Sequence, residues 1–288
     1  MKVKTTVELM REAARVARLA GLRIGLVPTM GALHEGHLSL VRAAKVQCDA
    51  VVVSIFVNPL QFGPNEDLAR YPRNFERDCE LLTKEDVDLV FAPSVEEVYP
   101  EEATTYVTVE GLSDRLCGGS RPGHFRGVTT VVAKLLHIVE PDLAFFGQKD
   151  AAQVAIIRRM VRDLNFATEI IACPIVREPD GLAMSSRNAY LTPQERKSAV
   201  VLYRALQEVE RRFDKGEHEA KPLIAVGKEV IAQQAGVRLD YFEIVDPDSL
   251  EPIDTIRSTA LVAVAALVGM TRLIDNVRLS PSNPSQTT

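Results

Sequence analysis

Between residues 24 and 173 the chain repeats one pattern, and that pattern restricts the fold more than any other feature. A short apolar run is followed by a polar turn, and then by a stretch with apolar residues at helical spacing. The runs fall at 24–27, 50–57, 89–92, 143–146 and 170–173, with helical stretches at 38–44 and around 74–86, 127–139 and 150–162. An almost uninterrupted apolar run such as 50–57 is the mark of a strand buried on both faces of a parallel sheet. Strands alternating with helices predict a doubly wound, Rossmann-like α/β domain. Such sheets bind ligands beyond the carboxyl ends of their strands, near a topological switch point. The polar clusters at 28–37, 58–63 and 147–150 each follow a strand and so converge on that crevice.

From about residue 178 the pattern changes. A helix is expected over 193–213, with Thr192 as N-cap, Pro193 at the first position and Glu195 completing a capping box. A second helix is expected over about 220–235, then strands at 239–245, 260–268 and 271–279. The organisation expected is a Rossmann-like domain over 1–177, a smaller α+β domain over 178–279 acting as a lid, and a disordered tail over 280–288. The first 21 residues read as a charged amphipathic helix rather than a signal peptide, and no apolar run reaches about 18 residues, so no membrane partner is expected. The net charge of −5, without a block of five like charges, gives no electrostatic footprint for nucleic acid. Cys48, Cys79, Cys117 and Cys173 form no Cys-x-x-Cys pair, which fits free thiols in a reducing, cytoplasmic setting.

The chemistry concentrates in PTMGALHEGH, residues 28–37, where a His-x-Gly-His signature sits at a strand-to-helix turn. Backbone N–H groups at a helix start favour an anion, and Gly31 and Gly36 let a polyanion approach the main chain. His34 and His37 can donate hydrogen bonds to phosphate oxygens as charge builds during nucleotidyl transfer. Two other readings stand beside this one. Zinc ligation on a helix requires histidines four apart, whereas these are three apart with Gly36 between them. They also fit ordinary cap or turn histidines. Far along the chain, residues 181–188 carry Met184, Ser185, Ser186 and Arg187, whose hydroxyls and guanidinium suit a triphosphate, and which equally fit a hydrophilic linker.

The His-x-Gly-His and Met-Ser-Ser-Arg pair resembles the HIGH and KMSKS motifs of the nucleotidyltransferase superfamily that includes class I aminoacyl-tRNA synthetases. More narrowly, PTMGALHEGHLSLV, SIFVNPLQFGPNEDLARYPR, RPGHFRGVTTVV, FFGQKDAAQ and REPDGLAMSSRNAYL, in that order over residues 28–191, resemble the pantothenate synthetase (pantoate–β-alanine ligase) family. The resemblance implies an ATP-dependent ligase that joins (R)-pantoate to β-alanine through an enzyme-bound pantoyl adenylate, releasing AMP and pyrophosphate. It implies Mg²⁺ accompanying ATP, and a cytoplasmic homodimer. No covalent nucleophile is required, which agrees with the lack of a Gly-x-Ser-x-Gly motif.

Residue by residue, the resemblance assigns ATP binding to Met30, Gly31, Ala32, Leu33, His34, Glu35, Gly36 and His37. It extends the nucleotide site to Gly147, Gln148, Lys149 and Asp150, to Val176 through its backbone, and to Met184, Ser185, Ser186 and Arg187. His37, His34 and Lys149 are the expected catalytic residues, Gln61 and Gln153 the expected substrate ligands, and Asp78 the expected Mg²⁺ position. The glycine-rich segment 117–127, with Arg121, His124 and Arg126, has the composition of a mobile flap that excludes water from an acyl adenylate. A cytidylyl- or adenylyltransferase sharing the His motif, and a nucleotide-sensing module, are the competing functions.

Overall fold

The computed structural model describes residues 1–64, 66–101 and 103–281. Six strands form one parallel sheet: β1 (Lys2–Lys4), β2 (Ile24–Thr29), β3 (Ala50–Ile55), β4 (Leu89–Phe91), β5 (Leu143–Gly147) and β6 (Glu169–Cys173). Their spatial order is β1-β4-β3-β2-β5-β6. The chain thus winds outward from β2 through β3 and β4 on one side, and through β5 and β6 on the other. The switch point lies between β2 and β5, and the crevice above it is the natural ligand position.

Both faces of this sheet are covered, as the doubly wound expectation requires. Along each central strand the side chains alternate between two cores. Leu26, Val52 and Ala144 pack with Met10 and Ala14 of α1 (Val7–Leu19) on one face. On the other, Val27, Val51, Val53 and Phe145 pack with Leu40, Val41 and Ala44 of α2 (Glu35–Gln47) and Leu82 of α3 (Phe75–Lys84). Removing each such aliphatic side chain from water contributes about 1.5–3 kcal/mol, which is why both cores persist around a sheet of short strands. After a short turn, α4 (Val95–Val98), come α5 (Cys117–Ser120), α6 (His124–Val139) and α7 (Ala151–Asp163), the last two joining the first core.

The remaining residues form α8 (Pro193–Ala199), α9 (Val201–Phe213) and α10 (Ala220–Ala232) against an antiparallel sheet of β7 (Val237–Val245), β8 (Ala260–Val268) and β9 (Thr271–Leu279), in that order. Its central strand is buried on both sides. Val262, Val264 and Ala266 face the helices, while Leu261 and Ala263 join the core of the large sheet. The small sheet is therefore docked by apolar contact rather than hung from a linker.

Two expectations are corrected. The N-terminal segment is not helical throughout: Thr6 accepts a hydrogen bond from the Leu9 N–H and starts α1, and Lys2–Lys4 pairs with β4. Three residues are too few to show a strand alternation. The helix expected over 193–213 begins with the foreseen Thr192–Glu195 capping box but is interrupted at Val200. In segment 117–127, Cys117–Ser120 forms α5 and His124 onward begins α6, with Cys117, Gly118, Phe125 and Gly127 buried and Gly119, Ser120, Pro122, Gly123 and Arg126 exposed. The tail foreseen over 280–288 lies outside the described residues from 282 onward, whereas the Ser280 hydroxyl contacts that of Thr259. Among the described residues no helix is long and apolar enough to cross a membrane.

Candidate active site

His34 is the N-cap of α2, and its imidazole folds back so that Nδ1 accepts the Gly36 N–H at 3.1 Å. His37, three residues on, accepts the His34 N–H on its own Nδ1 at 3.3 Å, so the two rings form a reciprocal capping box. The cap reading of these histidines and the phosphate reading are thus compatible. With Nδ1 accepting, each neutral ring carries its proton on Nε2. Gly36 makes this arrangement possible, because a Cβ there would lie 2.8 Å from the His34 ring. Its role is to admit the imidazole, which takes over one free helix-terminal amide and offers a ring N–H in its place.

The rings sit 4.2 Å apart between centroids. Burial, then the Lys149 charge, lowers His34 to about 4, and burial, then the adjacent His34 and Lys149, lowers His37 to about 3. Both are neutral donors near pH 7. His124 is lowered to about 4, first by burial and then by Arg121. Its Nδ1–H donates to the Gln61 carbonyl at 2.8 Å, leaving Nε2 to accept from the Arg121 guanidinium at 3.1 Å.

These three values set a pH dependence. The unfolded chain takes up a proton at each histidine near pH 6.5, whereas the folded chain does not until about pH 4 or below, so folding stability is lost as the pH falls below 6.5. Going from pH 7.5 to 5.5 should cost roughly 1.4 kcal/mol per histidine in urea titrations. His37→Gln should remove one histidine's share. An equal fall in variant and parent would assign the effect to other groups.

The loop before α2 is braced from behind. Ala32 adopts φ 50°, a conformation that costs a non-glycine residue about 1–2 kcal/mol. Asp78 of α3, only 2% exposed, accepts the Ala32 N–H at 2.9 Å and the Leu33 N–H at 2.8 Å. Burial pushes this carboxyl up, with those two N–H groups pulling the other way. The residue foreseen at the Mg²⁺ position thus braces the loop from behind. Among the described residues no cluster of three or more His, Cys, Asp or Glu could hold a metal ion.

Two adjoining cavities occupy the crevice. The inner one, ≈ 220 Å³, is bordered by Met30, His34, Gly36, His37 and Gln61, with Gly147, Val176, Met184 and Ser186. The outer one, ≈ 440 Å³, lies between the large domain and the small sheet. Lys149, Asp150, Gln153, Ser185 and Arg187 border both. Of the foreseen residues, six lie off these walls. Gly31, Ala32 and Leu33 form the braced loop and Asp78 its support. Glu35 points outward and pairs with Arg42, and Gln148 turns its amide to Asn276 of β9 at 3.3 Å. For Val176, the carbonyl accepts the Met184 N–H, joining the two nucleotide segments.

Several groups already have partners. The Lys149 ammonium is 3.7 Å from Asp150. Arg187 binds Asp67 through two bonds of 2.9 Å, Ser186 donates to the Ala32 carbonyl, and Arg121 forms an ion pair with Glu66. Burial alone would raise Asp67, but Arg187 holds it below the usual carboxylate range. Arg126 lies over the Tyr106 ring at 3.7 Å. The basic residues of the foreseen flap therefore have partners without ligand.

Sequence reasoning passed over Asn58, 1% exposed, which donates to the Gln61 Oε1 and the Gly127 carbonyl and accepts from the Tyr99 hydroxyl. It fixes the Gln61 amide so that its NH₂ group faces Met30 and the inner cavity. Its place in a polar cluster after β3 was visible, but its partners are distant in the chain.

Comparison with known proteins bears on what such a crevice does. A family model described as pantoate-beta-alanine ligase matches residues 2–278. The chain is 61% identical to a pantothenate synthetase of Koribacter versatilis over 97% of its own length and 96% of the relative's. It is 64% identical to one of Acidobacterium capsulatum over 89% and 86%. A crystal structure of pantothenate synthetase from Thermus thermophilus superposes with a TM-score of 0.92 at 47% identity, covering 98% of this chain and 100% of that one. A pantoate-beta-alanine ligase from Francisella tularensis, complexed with beta-gamma ATP and beta-alanine, gives 0.79 at 36% identity over 99% and 100%.

Proposed function

We propose, from the premise that this chain belongs to the pantoate–β-alanine ligase family, that the double cavity at the β2–β5 switch point is where its reaction takes place. The protein is an ATP-dependent ligase that condenses pantoate with β-alanine to give pantothenate. The observation that carries the site assignment is the meeting of His34, His37, Lys149, Gln61 and Gln153 around one ≈ 220 Å³ space.

In our reading the carboxylate of (R)-pantoate attacks the α-phosphorus of ATP in line with departing pyrophosphate. The Nε2–H groups of His34 and His37 donate to phosphate oxygens, and Lys149 supplies the positive charge that grows in value as the transition state forms. Neutral rings suit this task, because they donate without requiring a cation beside Lys149. Gln61 and Gln153 hold the pantoate hydroxyls, since amides both donate and accept. Met184, Ser185, Ser186 and Arg187 close over the nucleotide, while Gly147 and Asp150 border it, with Asp150 toward the ribose. The β-alanine amine then attacks the carbonyl of the pantoyl adenylate and expels AMP. Among the described residues no cluster of three or more His, Cys, Asp or Glu is present, so in our reading Mg²⁺ would be carried by the triphosphate oxygens and water with at most one or two protein carboxylates, as is common for this ion. The family resemblance extends the reading to a homodimer working in the cytoplasm.

Exchange of labelled pyrophosphate into ATP tests the order of steps. Exchange is expected to require pantoate and a divalent ion but not β-alanine, because adenylation precedes the amine. Exchange without a carboxylate, or none with pantoate, would rule out this sequence.

A further inference from the structure

The small sheet reaches the nucleotide site through the dipeptide Asp275-Asn276 of β9. Asn276 is 3% exposed, and its side-chain contacts go to one place. Nδ2 donates to the Gln148 and Lys149 carbonyls, each at 3.0 Å, and Oδ1 accepts from Gln148 Nε2 at 3.3 Å. The amide orientation follows from chemistry, since the reverse would set an oxygen against two carbonyl oxygens. Its neighbour Asp275 accepts two bonds from Arg177, at 2.7 and 3.0 Å, and one from the Asn276 N–H at 2.8 Å. Arg177 in turn donates to the Gly181 carbonyl at 3.0 Å, at the start of the segment leading to Arg187.

We propose that Asn276 is a positioning residue for adenylation, holding the turn that carries Lys149 against the triphosphate, while Asp275 and Arg177 hold the opposite nucleotide segment in register with it. This rests on the reading of Lys149 as a phosphate ligand. The clamp is not needed to dock the small sheet, because Leu261 and Ala263 of β8 already join the core of the large domain. A buried amide that satisfies two backbone carbonyls instead fixes where the intervening side chain starts. Lys149 acts on the pyrophosphate side of the reaction, so the clamp matters for the first half-reaction and is idle in the second. The side-chain bonds of Asn276 go to Gln148 and Lys149, and not to Gln61 or Gln153, the residues read as holding pantoate.

The test compares half-reactions in the full-length protein. N276A is expected to slow pyrophosphate exchange by about 10- to 100-fold, as small misplacement of a catalytic group does. Aminolysis of pantoyl adenylate added directly should stay within about 3-fold of the parent. In a K149A background the further loss of exchange on adding N276A should shrink to under about 3-fold, the signature of two residues acting through one. N276S, which keeps one donor, should recover part of the rate, and it carries the same comparison should N276A fail to fold. Exchange within about 3-fold of the parent, equal loss in both half-reactions, or an undiminished effect in the K149A background would each overturn the proposal, on the same thresholds. K149A crippled with N276A unaffected sinks this inference alone. K149A exchanging like the parent sinks the reading of Lys149 and this inference with it.

Discussion

Lys149→Ala and His37→Ala should each lower kcat by about 10²- to 10³-fold, the usual cost of an oriented donor to a transition state. The two variants should differ in a diagnostic way. Lys149 is a point charge, so its loss should be partly restored by an exogenous small amine. His37 also ends the reciprocal cap of α2, so its loss should lower stability by about 0.5–2 kcal/mol as well. Steady-state kinetics together with urea unfolding separate the two effects. A variant that stays folded and within a few-fold of the parent would show that its residue is a bystander.

Gly127→Ala should do harm that helix propensity does not foresee. In an exposed helix interior the change stabilises by about 1 kcal/mol. Here a Cβ would lie 2.3 Å from the Leu60 oxygen and 2.6 Å from the Gln61 nitrogen, because the Pro59–Gln61 turn presses directly on α6. Main chain cannot give way as a side-chain tip does. The turn must move, taking Gln61 with it and loosening the Asn58 bond to the Gly127 carbonyl. We expect kcat/KM for pantoate to fall by about 10²-fold and stability by about 1–3 kcal/mol. A variant more stable than the parent with normal kinetics would show that the turn yields freely.

How much could be read from the chain depended on the range of the interactions involved. The parallel sheet was legible because runs such as 50–57 are apolar on both faces, and the His34–His37 turn because strand, turn and helix are contiguous. The brace that Asp78 provides was not legible, because its partners Ala32 and Leu33 lie 46 and 45 residues away. The four glycines of 117–127 suggested mobility, but composition does not distinguish a glycine that bends from one that admits a neighbour. Gly118 and Gly127 face carbonyl oxygens at close range, whereas Gly123, at φ 82°, has open space around it. Likewise nothing local announces that Arg121 will meet Glu66 or that Arg187 will meet Asp67.

The clamp between Asn276 and the phosphate turn spans 128 residues. A chain emerging from the ribosome presents its N-terminal part first, and the parallel sheet can begin to condense while β9 is still unmade. Closing a loop of that length adds little entropy beyond a shorter one, but it must wait for its far end to exist. The nucleotide pocket is thus among the last parts of the molecule to be completed. Capture of ATP by stalled nascent chains should therefore appear only once the final strand has left the ribosome, after the signals of sheet formation.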